Sequence, residues 1–431
     1  MRGEKPEVIA AARDTVKRWW LSATRVGVVD LTVAMGLILV LGFIQNLVLA
    51  RLLGPAGLGH VAIITAALNI GILIGSGGLT TAILRHGAAQ EQDNAGFGVY
   101  RMGATLALFS SITAALGLAF FAASSFWPFD PVAGSWLPWV AVSIPMIVFG
   151  TCSILYLQSR DRMRDKAVLD LVRRALVVVS IIIGVSLAGL PGFVAGHVVG
   201  NLLGAVVAGG RTWMTRPKPA VPSPVPRREL LRFGSWSVLN QMLGFVLEAA
   251  DLLCLSALLG DETAVGLYGL AAVLQRFVRI PMLAYLDARF PTMTRASKTP
   301  AEARRVRSQM RLHILGLALL AATVAALAGP ILVPWAFGSE YSESVLLLEI
   351  LLVGQVLWAL GAAQGRSLLA SGWVEGNFIA SGVAASVNLA ANFWLIPIWG
   401  APGAAIATAG TWGVWAIVVN LMSAYHDRKN P

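Results

Sequence analysis

The sequence predicts an all-α polytopic membrane protein with twelve transmembrane helices in two six-helix bundles, the bundles being a parallel internal repeat. Three observations carry this: the composition, the length of the apolar runs, and the side on which the cations fall. Hydrophobic residues fill 57% of the 431 positions and charged residues only 13%, about half the charged share of a globular domain. Such a chain is solvated mostly by lipid, where the backbone must satisfy its own hydrogen bonds, so only helices or closed barrels span. Barrel strands alternate over about ten residues. The runs here are continuous and about twenty long, as a helix crossing hydrocarbon requires.

The elements follow in order. Residues 1–29 interleave Arg2, Lys5, Arg13, Lys17, Arg18 and Arg25 with Ile9, Val16, Trp19 and Trp20. This predicts an amphipathic segment on the cytoplasmic membrane face with its tryptophans at the headgroups. A cleaved leader is disfavoured, because a full span follows with no small-residue cleavage site. Apolar runs then cover 31–50, 58–84, 99–124, 136–158, 168–187 and 193–212, and after a break 233–258, 265–285, 312–333, 345–369, 378–396 and 404–424. Gly329, Pro330 and Pro334 predict an interrupted end to the ninth.

The cations test this count. The N-terminus, Arg85, Arg101, the cluster Arg160, Arg162, Arg164 and Lys166, then Arg216, Lys218, Arg227 and Arg228, the run 295–311, Arg366, Arg428 and Lys429 all fall on one side. Loops 125–135, 188–192, 259–264, 334–344 and 397–403 hold no Lys or Arg. Only Arg51 breaks the alternation. Positive charge marks the cytoplasmic side, so both termini are expected there, in a bacterial inner membrane. The net charge of +11 is thereby a topology signal rather than a nucleic-acid footprint.

The chain also turns the same corner twice. Leu52-Leu53-Gly54 recurs as Leu258-Leu259-Gly260, Gly189, Pro191 and Gly192 recur as Gly400, Pro402 and Gly403, and Leu157 stands opposite Leu368, all at nearly one separation. Between the halves, RPKPAVPSPVPRRE at 216–229 holds five prolines and cannot continue a helix. The expected organisation is a cytoplasmic segment 1–29, a bundle 30–212, a cytoplasmic linker 213–230, a second bundle 231–425 and a tail 426–431. Six spans per half return each half to its starting side, so the repeats are parallel, about an axis along the membrane normal, with a central cavity between bundles. Gly192, Gly196, Gly200 and Gly204 form a stripe suited to close helix packing.

Enzyme chemistry finds little support. The exterior loops carry no cluster of His, Asp, Glu or Ser, and there is no HExxH, phosphate loop or strand-linked GxGxxG. Cys152 and Cys254 lie inside apolar runs as small hydrophobes. No catalytic residue, metal or cofactor is expected, and a membrane enzyme of glycan assembly is the least favoured class.

LARLLGPAGLGHVAI, DLLCLSALLGDETAVGLYGLAAVLQRF and IPMLAYLDARFPTMTR together resemble the polysaccharide-transport branch of the multidrug/oligosaccharidyl-lipid/polysaccharide flippase superfamily, over about 30–425. The resemblance implies a V-shaped two-bundle flippase that moves a polyprenyl-diphosphate-linked oligosaccharide, an O-antigen or exopolysaccharide unit, to the outer leaflet. It implies as partners that glycan, membrane lipid, and the glycan polymerase and glycosyltransferases, with no nucleic acid. A cation-coupled multidrug or small-molecule exporter is the alternative. That branch often has a carboxylate inside its first span, where this chain has Gln45 and Asn46 with Asp30 at the entrance.

Ionisable residues inside spans are costly and therefore functional candidates. Arg276 and Arg279 lie three apart in the eighth span, Arg276 about 18 Å from the exterior end and Arg279 within snorkelling reach of the cytoplasm. Arg276 either faces a hydrated cavity and attracts the diphosphate or pairs structurally with Glu248 or Asp251. Arg173 and Arg174 sit one to two turns inside the fifth span, lining a cavity or snorkelling. Gln45, Asn46, Asn69, Asn240, Gln241, Asn388 and Asn392 are candidates for the same cavity or for bridging helices. Glu248 and Asp251 suit proton or cation coupling, since burial moves carboxyl titration toward working pH, or else pair with a cation such as Arg276 or Arg51.

Overall fold

A computed structural model describes residues 28–218, 221–297 and 299–429. The amphipathic segment expected over 1–29 lies, apart from Val28 and Val29, outside the described residues. Among those described there is helix and no strand. The order is α1 (Val28–Ser76), α2 (Leu79–Ala88), α3 (Asp93–Ala123), α4 (Pro131–Ala141), α5 (Ser143–Ser159), α6 (Met163–Met214), α7 (Arg227–Leu259), α8 (Glu262–Ala296), α9 (Pro300–Phe337), a 3-10 turn (Ser339–Tyr341), α10 (Ser344–Ala370) and α11 (Val374–Lys429).

Eight of these helices are long and apolar enough to cross a membrane, and α4 and α5 form a further span bent by 51°. Three of the eight are too long for one crossing, which takes about 20 residues: α1 has 49, α6 has 52 and α11 has 56. Each is two spans divided at a glycine, and the total is twelve. The dividing glycines repeat in geometry as well as sequence. Gly189 has φ 59° and ψ −133° and Gly400 has φ 61° and ψ −137°, while Gly54 and Gly260 have φ 67° and 61°. Left-handed backbone of this kind favours glycine, so the duplicated corners are duplicated conformations.

Four boundaries differ from the sequence expectation. The second span is interrupted at Gly77 and Gly78, where the chain leaves helical geometry and Gly78 meets the backbone of Gly234 with no room for a Cβ. The fourth span is the bent pair rather than one straight run. The cations at 295–311 lie largely on the helical ends of α8 and α9 rather than in a loop. The ninth span runs unbroken through Pro330 and Pro334 to Phe337. Its last carbonyls are satisfied from outside the helix: Arg51 donates to Ala336 O and Trp335 O, both at 2.6 Å, and Gly338 N donates to Pro334 O. Arg51, the cation on the wrong side, is thus a cap at a helix C-terminus, where positive charge is favoured.

The chain divides into two compact units. The first comprises Met1–Val48, Gly71–Phe120 and Pro138–Val238. Its sixth span folds back on the fifth along the glycine stripe. A Cβ on Gly192, Gly196 or Gly200 would strike backbone of 176–185, and one on Gly204 would strike the Arg173 side chain. The stripe is a packing surface. The second unit comprises Leu49–Ile70, Phe121–Leu137 and Leu239–Pro431, taking in two segments of the first repeat. There Gly59 packs on the backbone of Glu262 and Gly266, and Gly266 on that of Pro55 and Gly59, a reciprocal contact between corresponding corners. Its core joins Met282, Ile314, Ala359, Ala363, Ala384 and Trp415 from α8 to α11.

Candidate functional site

Polar side chains inside the spans gather in three places. In the second unit, Asp251 of α7 is 3% exposed. Asn392 donates to its Oδ1 at 2.6 Å, Tyr268 OH to its Oδ2 at 2.9 Å, and Thr408 Oγ1 also to Oδ2. Asn392 further donates to Asn388 Oδ1 at 3.1 Å, and both asparagines are fully buried. They stand four apart on the eleventh span and so share one helix face. Tyr268 comes from α8 and Thr408 from the twelfth span, so four spans converge on one carboxylate.

That cluster is left with unused capacity. Asn392 Oδ1 and Asn388 Nδ2 have no hydrogen-bond partner among the described residues. A carboxylate with amide and hydroxyl oxygens is a donor set for a hard cation or a proton rather than for a soft metal. Among the described residues no group of three His, Cys, Asp or Glu could hold a metal ion.

The second place is built around Arg279. Its guanidinium lies 4.8 Å from the Trp412 ring centroid and 5.4 Å from that of Trp358, and its Nε donates to Gln355 Oε1 at 2.8 Å. Gln275 donates to the same oxygen at 2.6 Å. Arg279 is 8% exposed, so it does not snorkel as its position near the cytoplasmic end suggested. The aromatic faces and the amide hold it inside. Glu248, exposed on α7, lies 3.7 Å from Arg279 Nη1. Arg276 is exposed and donates to the backbone Glu248 O at 2.8 Å rather than to its carboxylate. Glu248 and Asp251 therefore part company: the first faces Arg279, the second a nest of amides and hydroxyls. Arg51 pairs with neither.

The third place is in the first unit. Arg173 Nη1 donates to Thr151 Oγ1 at 3.1 Å, and its side chain lies over Gly150 and Gly204. Arg174 reaches toward Gly42 of the first span, whose missing Cβ leaves it room. Both start ten or eleven residues into α6, about 15 Å along it, and both extend sideways to neighbouring spans rather than back toward the helix end. Among the described residues neither has an acidic side chain in ion-pair range. Gln45 Oε1 is buried without a partner there, whereas Asn46 spends its amide on its own helix at Gly42 O, 2.8 Å away.

The remaining candidates are scattered. Asn69 and Gln241 are exposed, and Asn240 lies in α7 with its side chain outside the described residues. Sequence reasoning missed Tyr268, Thr408, Gln275, Gln355, Trp358 and Trp412. Gln275 and Gln355 carried a usable signal as amides within apolar spans. The tryptophans, tyrosine and threonine carried none, since such residues are common in lipid-facing and interfacial positions.

The sequence profile described as "Polysaccharide biosynthesis protein" matches residues 48–346. Among solved structures, an inward-facing multidrug resistance MATE family transporter of the MOP superfamily is similar with a TM-score of 0.79 at 16% identity, covering 94% of this chain and 98% of that one. The lipid II flippase MurJ, in an inward closed conformation, gives 0.74 at 12%, covering 91% and 86%. A MOP superfamily transporter from Pyrococcus furiosus, whose binding pocket is described as reversed in polarity, gives 0.67 at 15%, covering 93% and 95%. No curated protein matches the sequence significantly. These identities establish the two-bundle, twelve-helix fold and nothing of the substrate.

Proposed function

This chain belongs to the polysaccharide biosynthesis protein family and has the fold of the MOP transporters, and from that premise we propose that it flips a polyprenyl-diphosphate-linked oligosaccharide across the bacterial inner membrane by alternating access. It is a multi-pass membrane transporter, and the reading places both its termini in the cytoplasm. The family match over 48–346 is the observation that carries the choice of a glycan over a drug. The site supplies matching chemistry. A diphosphate needs cations at membrane depth, and Arg173 and Arg174 of the first unit provide them without an acidic side chain in ion-pair range among the described residues; the exposed Arg276 belongs to the second unit. An exposed guanidinium at that depth is costly in lipid, by about 2.5–3.5 kcal/mol on insertion scales, which supports a hydrated setting for Arg276. Asp251, with Asn388, Asn392 and Thr408 around it, supplies the group that binds a driving proton or cation. Its occupancy would bias the two states only through differential affinity for them.

Deletion of the gene tests the reading. It should leave lipid-linked oligosaccharide on the cytoplasmic leaflet and leave resistance to cationic drugs unchanged. The exporter reading draws on the structural likeness to the multidrug transporter. Lost drug resistance with normal glycan display would establish it in place of the flippase.

A further inference from the structure

The first unit contains a groove that none of the transport chemistry above uses. It has a volume of about 530 Å³, within the range of ligand sites, and it runs between α3, α5 and the end of α6. Its floor is Phe97, Ala104 and Phe149, and Leu108 and Trp213 stand on its exposed lip. At one end sit Arg101, Arg216 and Lys218, and no acidic residue lines it. Arg216 is stacked on the Trp213 ring, 3.5 Å from its centroid. None of the three cations has an acidic side chain in ion-pair range among the described residues. The linker that carries Arg216 and Lys218 is itself docked. Gly98 approaches the carbonyls of Val221 and Pro222 too closely for a Cβ, and Val225 is 8% exposed. Arg101 is carried on α3, and Arg216 is held by its stack on Trp213.

The arrangement is graded along the membrane normal. The three cations lie at the ends of the third and sixth spans, on the side that bears the positive charge. From Arg101 to Leu108 the groove runs inward over seven residues, about 10 Å of helix, and becomes apolar. Charge at headgroup level with an apolar trench beneath it matches one ligand shape, and basic pockets between spans on the cytoplasmic side bind anionic lipid headgroups. We propose that Arg101, Arg216 and Lys218 hold the phosphate of an anionic glycerophospholipid of the cytoplasmic leaflet, with the start of one acyl chain laid against Ala104, Leu108 and Phe149. A trench this short suits the glycerol region and the first part of an acyl chain. It engages none of the arginines assigned above to the diphosphate.

Native mass spectrometry of the full-length protein, titrated with phosphatidylglycerol and with phosphatidylcholine, tests this. The wild type should hold phosphatidylglycerol in preference, by about fivefold for each cation engaged. The R101Q/R216Q/K218Q variant should fall to the phosphatidylcholine level. R304Q/R305Q/R311Q removes three exposed cations of α9 and should keep the preference. Thr105→Trp, on the exposed rim, fills the trench without removing charge and should also abolish the preference. Equal losses in the two triple variants would overturn the site, as would unchanged binding in R101Q/R216Q/K218Q or in Thr105→Trp. Stoichiometric displacement of phosphatidylglycerol by a polyprenyl diphosphate would overturn the choice of occupant.

Discussion

Gln45 and Asp251 occupy the same place in the two repeats, and the structure treats them in opposite ways. Asp251 is buried with three donors on its carboxylate, one of them Asn392 of the eleventh span, which also donates to Asn388. Gln45 is left with a buried oxygen that has no partner among the described residues, and the polar charge of its bundle comes instead from Arg173 and Arg174 on the fifth span, the eleventh span's counterpart. The two repeats share a scaffold and carry different polar groups at corresponding places. The first bundle offers Arg173 and Arg174, suited to an anion; the second adds to its arginines an oxygen-lined carboxylate, suited to a proton or cation, that the first bundle lacks at Gln45. In a low-dielectric interior unpaired charge is retained at a cost, so the asymmetry points to use.

The largest effect should come from Asp251→Asn, which keeps the shape and removes the charge. Glycan display should fall by at least about tenfold, the scale of a coupling free energy, with the protein inserted at normal level. If display stays normal, the second bundle has no coupling role. Next comes the double variant Arg173→Gln/Arg174→Gln, expected to lower display by about tenfold as well, with partial recovery when both are lysine. Equal activity of the glutamine and wild-type proteins would erase the contrast between bundles.

A third substitution pair separates structure from transport within the second bundle. Arg279→Gln loses two aromatic faces and leaves Gln355 Oε1 short of a charged donor, so it should cost about 3 kcal/mol of stability, read as a lowered melting temperature in detergent. Lysine should not restore it, because an ammonium cannot reproduce the stacked planar fork. Arg276→Gln should leave the melting temperature within error, its side chain being exposed, and lower display severalfold.

The sequence made some of this legible and hid the rest for physical reasons. The twelve spans and the duplicated corners were readable because lipid imposes run length and charge side, and because Gly189 and Gly400, like Gly54 and Gly260, must be glycines to take positive φ. The convergence on Asp251 was half readable. Asp251, Asn388 and Asn392 stood out as polar residues in apolar runs, whereas Tyr268 and Thr408 did not. The depth of Arg276 and Arg279 along their span was readable, but not which of them turns inward: Arg279 is the buried one. A span that is apolar on every face carries no stripe to say which side meets protein, so depth alone gave the wrong order of burial. Arg51 and the break at Gly78 were hidden because their causes, the carbonyls of 335–336 and the backbone of Gly234, lie far along the chain.

The division of labour between bundles is tested most directly in proteoliposomes, by measuring binding of a polyprenyl-diphosphate oligosaccharide and its translocation with and without a proton or sodium gradient. The account predicts that Asp251→Asn binds like the wild type but no longer responds to the gradient, and that Arg173→Gln/Arg174→Gln loses binding. The reverse pattern, with gradient response surviving in Asp251→Asn or binding intact in Arg173→Gln/Arg174→Gln, would contradict it.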